Sequence, residues 1–150
     1  MPEPGPTSFV VSTFVHATED EEKVLNAIKT LLVGEVWEAV QIKRKSLRGH
    51  FHNPLLRVTV TLSDHSLIVK TLKFIGSQIS PQEREYLQQS LDLHYDGKRQ
   101  LFLRFDKQAS ARGTLRFIKQ GDSIRCVVKF SGRHFNIETL RVLCHSFNLL

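Results

Sequence analysis

Residues 43–61, KRKSLRGHFHNPLLRVTVT, carry five Lys or Arg, two His and no acidic side chain. The pattern reads as strand, loop, strand. Lys43, Arg44 and Lys45 end one extended segment and breakers at residues 49–54 supply a turn. Leu56, Val58, Val60 and Leu62 then alternate with Arg57, Thr59 and Thr61. A period of two with one apolar side describes a half-buried strand, one face on a core and the other in water. Cations this dense repel one another unless water or a polyanion lies beside them.

Upstream, residues 36–45 continue the alternation, with Val36, Val40 and Ile42 on one side and Trp37, Ala39, Gln41, Lys43 and Lys45 on the other, and are predicted as the first strand of the hairpin. Before it, Thr18 and Glu21 form a capping box. Glu19, Asp20, Glu21 and Glu22 set negative charge at the positive end of a helix dipole, and Val24, Ile28, Leu31 and Leu32 make the apolar stripe that Gly34 terminates. The acidic cluster is thereby explained by helix stability. Residues 9–16, FVVSTFVH, are β-branched and aromatic enough for a buried strand, and residues 1–7, rich in Pro and Gly, are expected to be a disordered leader.

Downstream, Asp64 is the N-cap of a helix with Leu67, Ile68, Leu72, Ile75 and Ile79 at helical spacing, and Ser80-Pro81 with Glu83 opens a second through about Leu93. A turn at Tyr95-Asp96-Gly97-Lys98 returns the chain to strands at 100–106, 114–119 and 123–130. The last two are joined at Gln120-Gly121-Asp122, and a short basic connector occupies 107–112. Asn136 caps a closing helix whose apolar side is Ile137, Leu140, Leu143, Cys144 and Phe147.

Strands that alternate this cleanly cannot lie in a parallel sheet covered on both sides, where they would be apolar throughout. The predicted class is α+β: a two-layer sandwich, five or six strands in a mixed or antiparallel sheet, helices on one face. The other face is basic, with Lys43, Lys45, Arg57, Arg104, Arg116, Arg125 and Lys129 set among Phe14, Trp37 and Phe102.

The 150 residues suffice for one domain with a core, at 41% hydrophobic and 24% charged content. No run reaches the roughly 18 apolar residues of a membrane span, and the start lacks the pattern of a signal peptide, so a cytoplasmic protein is expected. Cys126 and Cys144 have no CxxC spacing and sit on apolar faces, as small hydrophobes do. Charge is unevenly placed: residues 1–40 carry seven acids and two bases, residues 41–150 nineteen bases and eight acids. Such one-sidedness points to a polyanionic partner.

A basic sheet face with interleaved aromatics suits single-stranded nucleic acid, cations following phosphates while rings and guanidinium planes stack on bases. A solvated face is one alternative. Another is a protein-binding or homodimer surface with Trp37 and Phe102 in the contact. Two imidazoles at His50 and His52, two apart on an extended chain, point the same way and could ligate a metal with Asp106, Asp64 or His94. In a loop ringed by Arg48, Arg57 and Lys45 they are better read as donors to phosphate or stacking planes for bases. No nucleophile completes a catalytic set, and the Gly49 turn has neither GxGxxG nor Walker spacing, so no enzyme activity, metal or cofactor is expected. The expected RNA site has Lys43, Arg44, Lys45, Arg48, His50, His52, Asn53 and Arg57 on one side and Arg104, Lys107 and Arg112 on the other.

Four blocks, VxxxxHATEDEEKVLNAI (11–28), GHFHNPLLRVTVTL (49–62), LFLRFDKQASARGTL (101–115) and IRCVVKF (124–130), resemble the small archaeal family of RNA-binding or exosome-related proteins. The resemblance spans Phe9 to about Phe147. That family is similar in fold to the ribosomal protein that docks 5S rRNA on the large subunit. The resemblance implies an α+β sandwich, RNA as partner, and components of the exosome or the ribosome as company.

Overall fold

The computed structural model describes residues 3–32, 34–48 and 53–150. In chain order the elements are β1 (Gly5–His16), α1 (Glu21–Lys29), α2 (Glu35–Glu38), β2 (Gln41–Arg48), β3 (Pro54–Leu62), α3 (His65–Gln78) and α4 (Pro81–Ser90). After a 3-10 turn (Leu91–His94) come β4 (Gln100–Asp106), α5 (Lys107–Ala111), β5 (Ser123–Ser131) and α6 (Ile137–Ser146). The five strands form one sheet in the order β2-β3-β1-β5-β4, and every neighbouring pair is antiparallel.

β1 is central because it can bury alternate residues along its whole length. Phe9, Val11, Thr13 and Val15 point to the helices, and Thr13 satisfies its hydroxyl by donating to the Ser123 carbonyl at 2.8 Å. The register carries that face across the sheet. Val11 lies opposite Val60 and Cys126, Leu103 lies beyond Cys126, and Phe9 lies opposite Leu62 and Val128. These residues join Ile28, Leu31, Leu32, Ile68, Leu72, Ile75, Leu87 and Leu140 from the helical side in one core. Each large apolar side chain so buried contributes about 1.5–3 kcal/mol. Both cysteines are free and buried. Burial pushes both thiols up, Cys144 to about 12 against a small opposing pull from Arg141, so neither is an anion at neutral pH.

Asp64, Ser80 and Asn136 cap α3, α4 and α6 by accepting from the backbone N–H of Leu67, Glu83 and Thr139. Five expectations are corrected. The capping box at Thr18 and Glu21 does not form. Asp20 is the N-cap, accepting from Glu22 N at 3.0 Å, because the chain first makes a turn in which Glu19 N donates to the His16 carbonyl. The strand expected over 36–45 is split: Gly34, at φ +61°, starts the one-turn α2, and β2 begins only at Gln41. Trp37 therefore leaves the sheet face, packing against the core with the Lys29 ammonium 5.1 Å from its ring centre.

The segment 114–119 adds no sixth strand. It makes a single bridge, Phe105 to Phe117, with Asp106 N donating to Arg116 O and Ile118 N to Arg104 O. The Phe117 amide turns to Glu83 Oε2 at 3.0 Å, which draws the segment towards α4. The leader is ordered from Gly5. Gly5 and Pro6 pair with Ser131 and Phe130, and the Pro6 carbonyl lies 2.9 Å from His65 Nδ1. The connector expected over 107–112 is α5, capped by Asp106.

Candidate nucleic-acid interface

The residues opposite in parity to the core residues face away from the helices, and the register lines them up in rows. One row crosses all five strands as Lys43, Thr59, Ser12, Arg125 and Arg104. Beside it lie Lys45, Arg57 and Phe14, and on its other side Gln41, Thr61, Val10, Val127 and Phe102. Two pairs of directly opposed residues carry like charge, Lys45 with Arg57 and Arg104 with Arg125. Such pairs destabilise a sheet. Among the described residues none of these four, nor Lys43, has a carboxylate within ion-pair distance.

Two guanidinium groups lie over aromatic rings, Arg57 at 5.4 Å from the Phe14 centre and Arg125 at 5.7 Å from that of Phe102. Two open cavities flank the Arg104–Arg125 pair. The first, of about 380 Å³, is bounded by Ser12, Phe14, Arg57, Thr59 and Asp122. The second, of about 480 Å³, is bounded by Tyr86, Leu93, His94, Phe102 and Lys119. Both are lined by Arg104 and Arg125. Leu93, 81% exposed, gives the second cavity an apolar wall in open solvent. His94 is fixed by a 2.9 Å contact of Nδ1 with the Phe102 carbonyl and stands edge-on to Tyr86.

Under the first cavity lies an ionic knot. The Lys107 ammonium bonds to the Phe14 carbonyl at 2.6 Å, Glu19 Oε1 at 2.8 Å and Asp122 Oδ2 at 3.0 Å. Its three donors are thus all used, and the residue is 2% exposed. Partial burial pushes the Glu19 carboxyl up, but the Lys107 hydrogen bond, the His16 backbone N–H and the nearby positive charges outweigh it and hold the group below its ordinary range. His16, Glu19 and Asp122 bring one ligand atom each within 4.8 Å of one another, a spacing that could hold a metal ion. The Lys107 ammonium already fills the cation's place between the two carboxylates.

Of the expected site residues, Lys43, Lys45, Arg57 and Arg104 lie together on the open face and are exposed. Arg44 does not: it shares the parity of Val58, on the helical side, and forms an ion pair with Glu21. Arg48 has the same parity as Arg44, at the end of β2 opposite Pro54. Lys107 is corrected from an RNA ligand to a buried structural cation. Arg112 is exposed at the end of α5, its N–H donating to the Ala109 carbonyl, and Asn53 is exposed just before β3. His50 and His52 lie outside the described residues. Arg125, Phe14 and Phe102 belong with the cluster although the expected site omitted them; their parity relative to the core positions of 9–16, 100–106 and 123–130 was the available signal. Tyr86, Leu93 and His94 had none, because they reach the face from elements read only as packing helices.

The chain is similar to known proteins over most of its length. The model of a family described as RNA binding matches residues 9–130. A Pyrococcus abyssi protein named RNA-binding protein PAB1135 is 32% identical over 120 residues, 79% of this chain and 78% of the relative. Protein AF2318 from Archaeglobus fulgidus, a DUF54 structure, superposes with a TM-score of 0.79 at 32% identity, covering 93% of this chain and 99% of that one. Mth689 from Methanothermobacter thermautotrophicus, at 22% identity and a TM-score of 0.74 over 93% of this chain and 98% of its own, shares the fold. The family match runs from Phe9 in β1 to Phe130 in β5, and so takes in part or all of every strand that builds the open face: the chain belongs to the RNA-binding family.

Proposed function

We propose that this chain is a non-catalytic RNA-binding protein that holds RNA against the open face of its sheet. The observation that carries the reading is the row of unneutralised cations, with two like-charged pairs placed directly opposite each other. A sheet tolerates that arrangement when an anion relieves it. Family membership and the name of the Pyrococcus relative support RNA as the anion. The Lys107 ammonium between Glu19 and Asp122 supports binding over metal-assisted turnover.

Lys43, Lys45, Arg57, Arg104 and Arg125 form the centre of the proposed site. Arg48, Asn53 and Arg112 are further candidate contacts, as are His50 and His52, which lie outside the described residues, and Arg44 contributes only if it exchanges Glu21 for phosphate. A role in RNA processing with exosome components or on the ribosome is what the sequence resemblance implies, and a place in the cytoplasm is the expectation from the sequence pattern; both are the finer part of the proposal. The alternative of a homodimer through this face has lost Trp37 as its anchor and retains Phe102.

Labelled RNA titrated at several salt concentrations tests the reading. The observed association constant should fall by about 0.7 log unit per log unit of salt for each single-strand phosphate neutralised. Arg57→Ala should reduce both affinity and slope. Absence of binding at low salt, or affinity indifferent to salt, would overturn it.

A further inference from the structure

We infer that Arg104 and Arg125 clamp one backbone phosphate between two base-sized cavities, so that the face takes single-stranded RNA as a dinucleotide step and rejects the duplex. This rests on the RNA-binding reading and narrows its ligand.

The two arginines are direct cross-strand partners at the β4–β5 pairing. Opposed side chains in such a pair start about 4.5–5.5 Å apart. Two guanidinium forks at that separation can meet a single phosphate from two sides, each through charge-assisted bonds. The pair lines both cavities, so a phosphate seated on it has one cavity on each flank. At about 380 and 480 Å³ these lie at the small end of the roughly 300–1,000 Å³ that small-molecule sites span. Each can admit a nucleoside-sized group.

Their walls are also of the kind that bases stack on. The first offers Arg57 lying over Phe14, and the second Arg125 over Phe102, with Tyr86, His94 and the exposed Leu93 as a flank. Rings and guanidinium planes accept any base by stacking. A double helix keeps its bases stacked on each other and has none to offer such cavities. Among the described residues the one carboxylate on the first cavity, Asp122, is engaged by Lys107, which keeps it from opposing the phosphate.

The experiment compares three probes at one low salt concentration: a labelled oligoribonucleotide of ~8 residues, the same strand annealed to its complement, and an abasic strand of equal length. We expect the single strand to bind at least ten-fold tighter than either of the others. Phe102→Ala, which removes a stacking wall, should weaken the single strand by ten-fold or more while leaving the duplex and abasic affinities within about two-fold, whereas Arg104→Gln, which removes a phosphate contact, should weaken the single strand and the abasic strand alike. Because Arg104→Gln also removes like-charge repulsion, it should raise the thermal midpoint of the free protein, which separates lost binding from lost folding. Duplex or abasic strand bound as tightly as single-stranded RNA would overturn the clamp and leave RNA binding standing. If none of the three binds, both readings fall.

Discussion

Lys107 is the residue on which the open face and the helical layer meet. Its ammonium ties the β1 carbonyl at Phe14 to Glu19, ahead of α1, and to Asp122, ahead of β5. Lys107→Met keeps the length of the stem but strands two carboxylates and a carbonyl, so it should destabilise by about 3 kcal/mol, the lower end for breaking a buried pair because both acids keep some contact with water. Denaturant unfolding would measure it. The pH dependence has a definite sign. Glu19 titrates below its ordinary value in the folded protein, so its contribution is complete above about pH 4.5 and is lost as pH falls through the lower folded value. The gap between wild type and Lys107→Met should therefore narrow in acid. A gap that stays constant to pH 3 would mean that the carboxylate is not the partner that matters.

At the scale of elements, α3 and α6 approach closely through Gly76. A methyl group there would stand 2.1 Å from the Phe147 carbonyl oxygen and 2.9 Å from the carbonyl carbon of Asn148. Arg84 of α4 locks the same junction, donating to the Gly76 and Asn148 carbonyls at 2.8 and 3.0 Å. Gly76→Ala should cost about 1–3 kcal/mol by overpacking against backbone that cannot rotate away, despite alanine's better helix propensity. Thermal unfolding checks this, and a variant as stable as the wild type would mean that the two helices can separate freely. Nothing in the sequence around Gly76 announced the contact, because it depends on chain seventy residues later. Elements with a long period were legible for the opposite reason: β1, β3, β4 and β5 repeat apolar residues every second position, and α3 and α6 carry local caps. Residues 35–38 were misread because four residues are too few to separate a period of 2 from one of 3.6. The segment 114–119 has strand composition but spends its Phe117 amide on Glu83, a choice made by tertiary structure.

The whole molecule separates its charges, seven acids against two bases before residue 41 and nineteen bases against eight acids after it, and the fold turns part of that separation into a face. Alternation alone located Lys43, Lys45, Arg57 and Arg104 on it. Arg44 was expected in the site beside Lys43 and Lys45, but its register puts it on the opposite side, where it pairs with Glu21. The buried fate of Lys107 was not legible, since its partners come from residues 14, 19 and 122. A face of like charges should govern how the free protein responds to salt. Screening weakens attraction as well as repulsion, so the sign depends on which dominates. The exposed pairs Arg44–Glu21 and Lys70–Glu35 stand to lose at most about 0.5 kcal/mol each, and the buried Lys107 knot is shielded from salt. Against them stand Lys45 opposite Arg57, Arg104 opposite Arg125, and a net charge of +6. Repulsion should win, and anions that seat on the face add binding to screening. The thermal midpoint should therefore rise with salt, more steeply for phosphate than for chloride. For a gain of about 1 kcal/mol the rise is about 4 °C. Replacing Arg57 and Arg104 together by Gln should raise the low-salt midpoint and flatten its salt dependence. A midpoint that falls with salt, or a double variant with the wild-type slope, would show that the opposed cations are not in strain and would remove the physical reason for placing an anion between them.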